Sequence, residues 1–187
     1  TRSHLSEKID SPIIGEIPKI NDEDVKIIQS SSSRSPLAES FRMIIANLNF
    51  TLFNHSEKNN IILVTSSIKG EGKTLVSSNL ASALTNKYKK ILLIGADLRN
   101  PQIHKLIGVD KTVLGLSNLI YGNEDNFSDL IINHKGIDVL LSGTIPPNPT
   151  ELLASKKFKN FIQDVSKGYD YVIIDSAPCL LVSDTFE

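Results

Sequence analysis

Eight residues, Ser67-Ile68-Lys69-Gly70-Glu71-Gly72-Lys73-Thr74, stand between the apolar run Asn60-Ile61-Ile62-Leu63-Val64-Thr65 and a segment of helical periodicity from about Lys73 to Lys87. The order strand, Gly-rich turn, Lys-Thr, helix constrains the fold more than any other feature of the chain. Glycines let backbone N–H groups turn toward phosphate oxygens, and the helix N-terminus behind them adds positive potential. Lys73 would then reach β- and γ-phosphates, and Thr74 would offer its hydroxyl to Mg²⁺, a hard cation that prefers oxygen ligands. Ser67 stands where the full pattern has its first glycine. A solvated turn containing Gly and Lys would share this composition, but not the order of the flanking elements.

The rest of the chain supplies a sheet for such a loop. Lys90-Ile91-Leu92-Leu93-Ile94 and Tyr171-Val172-Ile173-Ile174 read as buried strands, and Asp138-Val139-Leu140-Leu141 as a third after the first. Between them lie helical patterns: Leu37 to Phe53, with Ser35 and Pro36 suited to its start, two short pieces at 101–107 and 114–121, and Thr150 to Ser166 after the rigid Pro146-Pro147-Asn148-Pro149 turn, with Thr150 as N-cap. Strands separated by helices imply βαβ crossovers. The expected fold is therefore α/β, the P-loop nucleoside-triphosphatase fold, with a mostly parallel sheet flanked by helices on both faces. Residues 1–36 are polar, carry three prolines and the run Ser30-Ser31-Ser32-Ser33, and read as an arm or linker, mobile or ordered; 37–187 form the P-loop domain.

Composition closes off other classes. Twenty Lys+Arg balance 21 Asp+Glu, so the chain has no global field to gather nucleic acid, and phosphate binding has to be local. One cysteine, Cys179, excludes an intrachain disulfide framework, and its apolar setting suggests packing. No apolar run approaches the ~20 residues of a membrane span. The four histidines are scattered without ligand spacing, and Lys156, Lys157 and Lys159 read as a solvated helix face.

Two acids complete the candidate site. Asp175 ends the last strand, and Asp97 follows the second one in Gly95-Ala96-Asp97-Leu98-Arg99-Asn100-Pro101. Carboxylates at the C-terminal tips of parallel strands lie on the rim where ligands bind in open α/β sheets, and there they can orient Mg²⁺ or its water. Arg99 could stabilise phosphate or pair with a carboxylate; a purely structural Asp97–Arg99 loop is the alternative.

Together the Gly-Glu-Gly-Lys-Thr loop, the Asp97-to-Pro101 segment and the Tyr171-to-Asp175 strand resemble the Walker A, Walker A′ and Walker B motifs of the bacterial tyrosine kinases that control exopolysaccharide and capsule export. Ser35-Pro36-Leu37-Ala38-Glu39-Ser40-Phe41-Arg42 is similar to that family's helix before the first strand, Pro146 to Leu153 to its later turn and helix, and Ile9 to Ile20 to the stretch that follows its second membrane helix. The resemblance implies ATP-dependent transfer of phosphate to tyrosines, in the cytoplasmic domain of an inner-membrane protein. It implies ATP or ADP and Mg²⁺ as ligands, with Lys73, Asp97 and Asp175 catalytic, Ser67, Lys69, Gly70, Glu71, Gly72, Lys73, Thr74, Leu75 and Arg99 around the nucleotide, and Thr74, Asp97 and Asp175 around the metal. Its implied partners are neighbouring copies of the chain and the polysaccharide export and polymerisation machinery, with no nucleic acid.

Three departures stand against a full carry-over. Gly95 replaces the first of two Walker A′ aspartates, Ile45 replaces an arginine of the ring-forming helix, and the chain holds no tyrosine cluster, only Tyr88, Tyr121, Tyr169 and Tyr171. A partitioning or septum-positioning ATPase, or a nucleotide-binding scaffold, are the competing functions; the ATPases usually place a lysine where this chain has Ile68.

Overall fold

A computed structural model describes residues 11–20, 35–53, 61–85, 89–122 and 126–180. The serine run, His4, His55, Tyr88 and the loop residues 123–125 lie outside that set. Chain order is α1 (Pro36–Phe53), β1 (Ile61–Val64), α2 (Lys73–Leu84), β2 (Ile91–Gly95), α3 (Ile103–Ile107), α4 (Leu116–Tyr121), a 3₁₀ turn (Phe127–Leu130), β3 (Ile131–His134), β4 (Ile137–Leu140), α5 (Pro149–Ala154), α6 (Lys156–Gly168) and β5 (Tyr171–Asp175). The sheet order is β1-β5-β2-β4-β3. All neighbours are parallel except the β3–β4 pair.

Alternation along the central strands divides the apolar side chains between two cores. Ile91, Leu93 and Ile173 face α1, α2 and α3, where Phe41, Leu80, Leu84 and Ile103 pack. Leu92, Ile94, Val172 and Ile174 face α4, α5 and α6, with Leu116, Leu152 and Val165. A central strand buried on both faces has no polar side to show, which is why β2 reads as an unbroken apolar run. Phe41 is wholly buried; truncating such a residue to alanine costs roughly 3–5 kcal/mol. Ser35 starts α1 as expected, its hydroxyl accepting the Ala38 N–H at 3.1 Å. Part of the N-terminal arm is ordered against that helix: the Asn47 side-chain amide donates to Ile14 O at 2.8 Å, while Ile14 and Ile17 lie against the core.

Two local expectations fail. The helix expected from Thr150 to Ser166 is two helices: Ser155 is extended, and its hydroxyl accepts the Phe158 N–H at 3.2 Å, so it caps α6 rather than continuing α5. The N-cap of α5 is Asn148 with Pro149 at the first turn, which moves Thr150 inside the helix. Strand β3 is an addition. It closes a hairpin with β4 through Lys135 and Gly136, at φ of 53° and 83°, a two-residue turn with both centres left-handed.

Candidate nucleotide site

Strand register sets the site. Val64 of β1 and Gly95 of β2 both lie level with Asp175 of β5, so the three strands end on one rim. Beyond it the chains are cross-tied: Ala96 and Asp97 donate their N–H groups to Asp175 O at 2.9 and 3.0 Å, and Cys179 and Leu180 donate to Ser66 O and Ser67 O at 2.9 and 3.2 Å. The loop after β1, the loop after β2 and the loop after β5 are thereby held as one frame.

Within that frame the turn from Ser67 to Thr74 takes its shape from backbone conformation. Gly72 at φ 89° caps α2 and Gly70 sits at φ 92°; no atom lies within 4 Å of where a Cβ would be at either position. Space is therefore not the constraint. The left-handed backbone is, and it would cost an L side chain roughly 1–2 kcal/mol. Glu71 braces the turn, its Oε2 accepting N–H bonds from Ser67 and Ile68 at 2.7 and 3.1 Å.

Lys73 and Thr74, the first residues of α2, are buried. The Lys73 ammonium lies 3.1 Å from Asp97 Oδ2, both side chains being almost fully enclosed. Asp175 is 1% exposed, and its Oδ1 has no hydrogen-bond partner. Burial pushes its pKa up to about 6; the nearby Thr74 hydroxyl, the Lys73 charge and the Ser77 hydroxyl pull it back, and the neighbouring Asp97 charge pushes it further up. An under-compensated carboxylate next to a hydroxyl is a hard-oxygen donor set, and it fits Mg²⁺. Among the described residues no group of three His, Cys, Asp or Glu side chains converges, so a cation here would share its shell with Thr74 and with ligand or water oxygens.

In front of these groups lies a cleft of about 570 Å³. One wall is Lys69, Gly70, Gly72, Lys73, Thr74 and Leu75; the other is Asn100, Gln102, Lys105 and Leu106. Residues 59–185 match the AAA domain family. The chain belongs to the AAA domain family, on its bacterial tyrosine-kinase branch. Tyrosine-protein kinase YwqD of Bacillus subtilis is 37% identical over 158 residues, covering 84% of this chain and 66% of that protein. Tyrosine-protein kinase ptk of Acinetobacter johnsonii is 32% identical across 97% of this chain, but that match takes in only 26% of its own length. Among solved structures, the chimerical protein CapA2B2 superposes with a TM-score of 0.87 at 33% identity, over 99% of this chain and 79% of that one. The kinase domain of Escherichia coli tyrosine kinase ETK follows at 0.81 and 29%, over 92% of this chain and 72% of that one. A septum site-determining protein, MinD of Pyrococcus horikoshii complexed with Mg-ADP, reaches 0.52 at 27%, over 62% of this chain and 48% of that one.

In this AAA domain the expected site residues divide. Lys73, Thr74, Asp97 and Asp175 come together, and Lys69, Gly70, Gly72 and Leu75 line the cleft. Ser67 and Glu71 are absent from its walls and bond to each other instead. Arg99 is likewise absent from the walls; its guanidinium donates to Thr150 Oγ1 at 3.1 Å, across to α5. Gln102, Lys105 and Leu106 enter the site from a short helical piece in which the sequence singled out no ligand-binding group. Their signal was only proximity to Asp97. Gly95 is tightly enclosed, since a Cβ there would lie 2.7 Å from Ser142 Oγ.

Proposed function

We propose that residues 37–187 form the nucleotide-binding part of a protein-tyrosine kinase that moves the γ-phosphoryl group of ATP to tyrosine hydroxyls, with 1–36 as its leading arm. The observation that carries this reading is the convergence of Lys73, Thr74, Asp97 and Asp175 on one strand rim behind a glycine turn. The similarity to proteins named tyrosine-protein kinases, and to the ETK kinase domain, supports it.

In this reading the turn's backbone N–H groups and Lys73 bind the β- and γ-phosphates, and Thr74 and Asp175, with Asp97 beside them, hold Mg²⁺. Bound there, the cation supplies neutralisation of the charge on the phosphate oxygens. The tyrosine oxygen forms a bond to the γ-phosphorus, the bond to the β–γ bridging oxygen breaks, and ADP leaves with that electron pair. Asp97 takes the phenolic proton, serving the role of a carboxylate that Gly95 lacks. A loose, charge-rich transition state asks for positioning and electrostatic stabilisation above all, and the buried Lys73–Asp97 pair holds both groups in place beforehand.

The proposed setting is the inner face of a membrane, with polysaccharide export and polymerisation machinery and further copies of the chain as partners. Among the described residues no helix is long and apolar enough to cross a membrane. Two features of α1 bear on assembly: Ile45 packs toward the core, and Arg42 pairs with Glu39 of its own helix at 2.6 Å. Incubating the full-length protein with labelled ATP and Mg²⁺ tests the proposal. Label recovered on tyrosine by mass spectrometry is the expected outcome. Free phosphate with no labelled tyrosine would replace the kinase by a regulatory ATPase.

A further inference from the structure

The wall opposite the glycine turn is an ordered polar chain. Asn100 donates its backbone N–H to Asp97 Oδ1 at 2.9 Å, and Asn100 Oδ1 accepts from the Gln102 amide at 3.0 Å. Gln102 Oε1 in turn accepts from Lys105 Nζ at 2.9 Å. The series starts at the carboxylate that pairs with Lys73 and ends on an ammonium at the cleft mouth. Ile103 and Ile107, buried in the core on the far side of α3, fix the pose of that helix.

The charge arrangement is lopsided. Lys69, Lys73 and Lys105 all line the cleft, and Asp97 answers Lys73 alone. Lys105 meets only a neutral amide oxygen, with no carboxylate partner among the described residues. In a chain of net charge −1, a cleft lined by three lysines, of which Lys73 alone has a carboxylate partner among the described residues, is a local demand for an anion. Lys73 and the amides of the turn already serve one side of that anion. Lys105 serves the other.

We propose that Lys105, held by Gln102 and Asn100, clamps the terminal phosphoryl group of a bound nucleoside triphosphate, so that the cleft distinguishes tri- from diphosphate and passes the difference to Asp97 through the amide chain. This rests on the nucleotide reading given above. It adds a residue that sets specificity and a physical connection between the state of the phosphate and the Lys73–Asp97 pair. An ammonium is suited to such work as a point charge, without the bidentate geometry that arginine would impose.

The test is titration calorimetry on full-length protein with Mg²⁺ and either ADP or an ATP analogue whose β–γ bridge resists hydrolysis. Lys105→Gln should weaken the triphosphate analogue about tenfold, equivalent to about 1.4 kcal/mol, while leaving ADP within about twofold. Lys105→Arg should restore most of the loss, and Gln102→Ala should give a smaller loss of the same sign. Lys105 is exposed, so unchanged melting of the ligand-free variants is expected and checks that folding is intact. An analogue-to-ADP affinity ratio unchanged by Lys105→Gln would overturn the clamp while leaving the nucleotide site standing. Wild-type protein that binds neither nucleotide would overturn both.

Discussion

Two clefts flank the C-terminal ends of the central strands, on opposite faces of the sheet. The cleft on the α2 and α3 face encloses about 570 Å³ and is lined by three lysines and the glycine turn, with buried acids behind it. The one on the α6 face, about 400 Å³, runs between Ile61 and Leu63 of β1 and Leu153, Phe158 and Ile162. They are similar in size and opposite in chemistry. In the first, charge is taken out of water and left partly uncompensated, as the orphaned Asp175 oxygen shows. In the second, apolar surface is left in water, Leu63 being 51% exposed. The first thus holds an under-compensated buried carboxylate, whereas the second is lined by no buried charge. The contrast teaches that a binding site is recognised by unmet electrostatic demand rather than by volume.

The largest test of this contrast is Lys73→Met. It removes the partner of buried Asp97, and breaking such a pair costs roughly 3–5 kcal/mol. It should also abolish thermal stabilisation by Mg-nucleotide, worth about 2.7 kcal/mol at a hundredfold excess over Kd. Retained stabilisation by nucleotide would show that the lysine cleft is not the binding cleft.

Next in size is Asp175→Asn. The folded pKa of about 6 lies above the ordinary carboxylate value of 3.8, so the folded state holds its proton more tightly. The stability this adds is fully present below about pH 4 and is lost as the pH rises through about 6. A shift of this size corresponds to about 3 kcal/mol. The asparagine variant, neutral throughout, should melt higher than wild type at pH 7.5 without ligand, converge with it near pH 4, and lose Mg²⁺-dependent nucleotide affinity. A variant less stable than wild type at pH 7.5 would mean that the carboxylate is already compensated.

The smallest effect belongs to the other cleft. Leu63→Gln, at a half-exposed position, should change stability by less than about 0.5 kcal/mol in denaturant titration and leave nucleotide affinity unaltered. A large change in affinity would mean that the two faces are coupled.

The sheet was legible because its parallel strands are continuous apolar runs, Ile91 to Ile94 and Tyr171 to Ile174 among them. Strand β3 was not, since Ile131-Ile132-Asn133-His134 is short and the first left-handed position of its turn is Lys135 rather than Asn or Gly. The break at Ser155 escaped because Leu153-Ala154-Ser155-Lys156 continues a helical pattern; tertiary packing and the Ser155 cap decide it. At the site, Lys73, Thr74, Asp97 and Asp175 follow directly from strand ends and could be anticipated. Arg99 could not, since its direction depends on where Thr150 of α5 sits. Nor could Lys105 and Gln102, which owe their place to the docking of α3 through Ile103 and Ile107.

The Glu71 brace has a kinetic side. With the Ser67 and Ile68 amides already engaged by a carboxylate of the same turn, the loop holds its form before any anion arrives. A phosphate-bearing guest captured by such a turn would cost little ordering, and its rate of binding would be governed by encounter rather than by a slow closing of the chain.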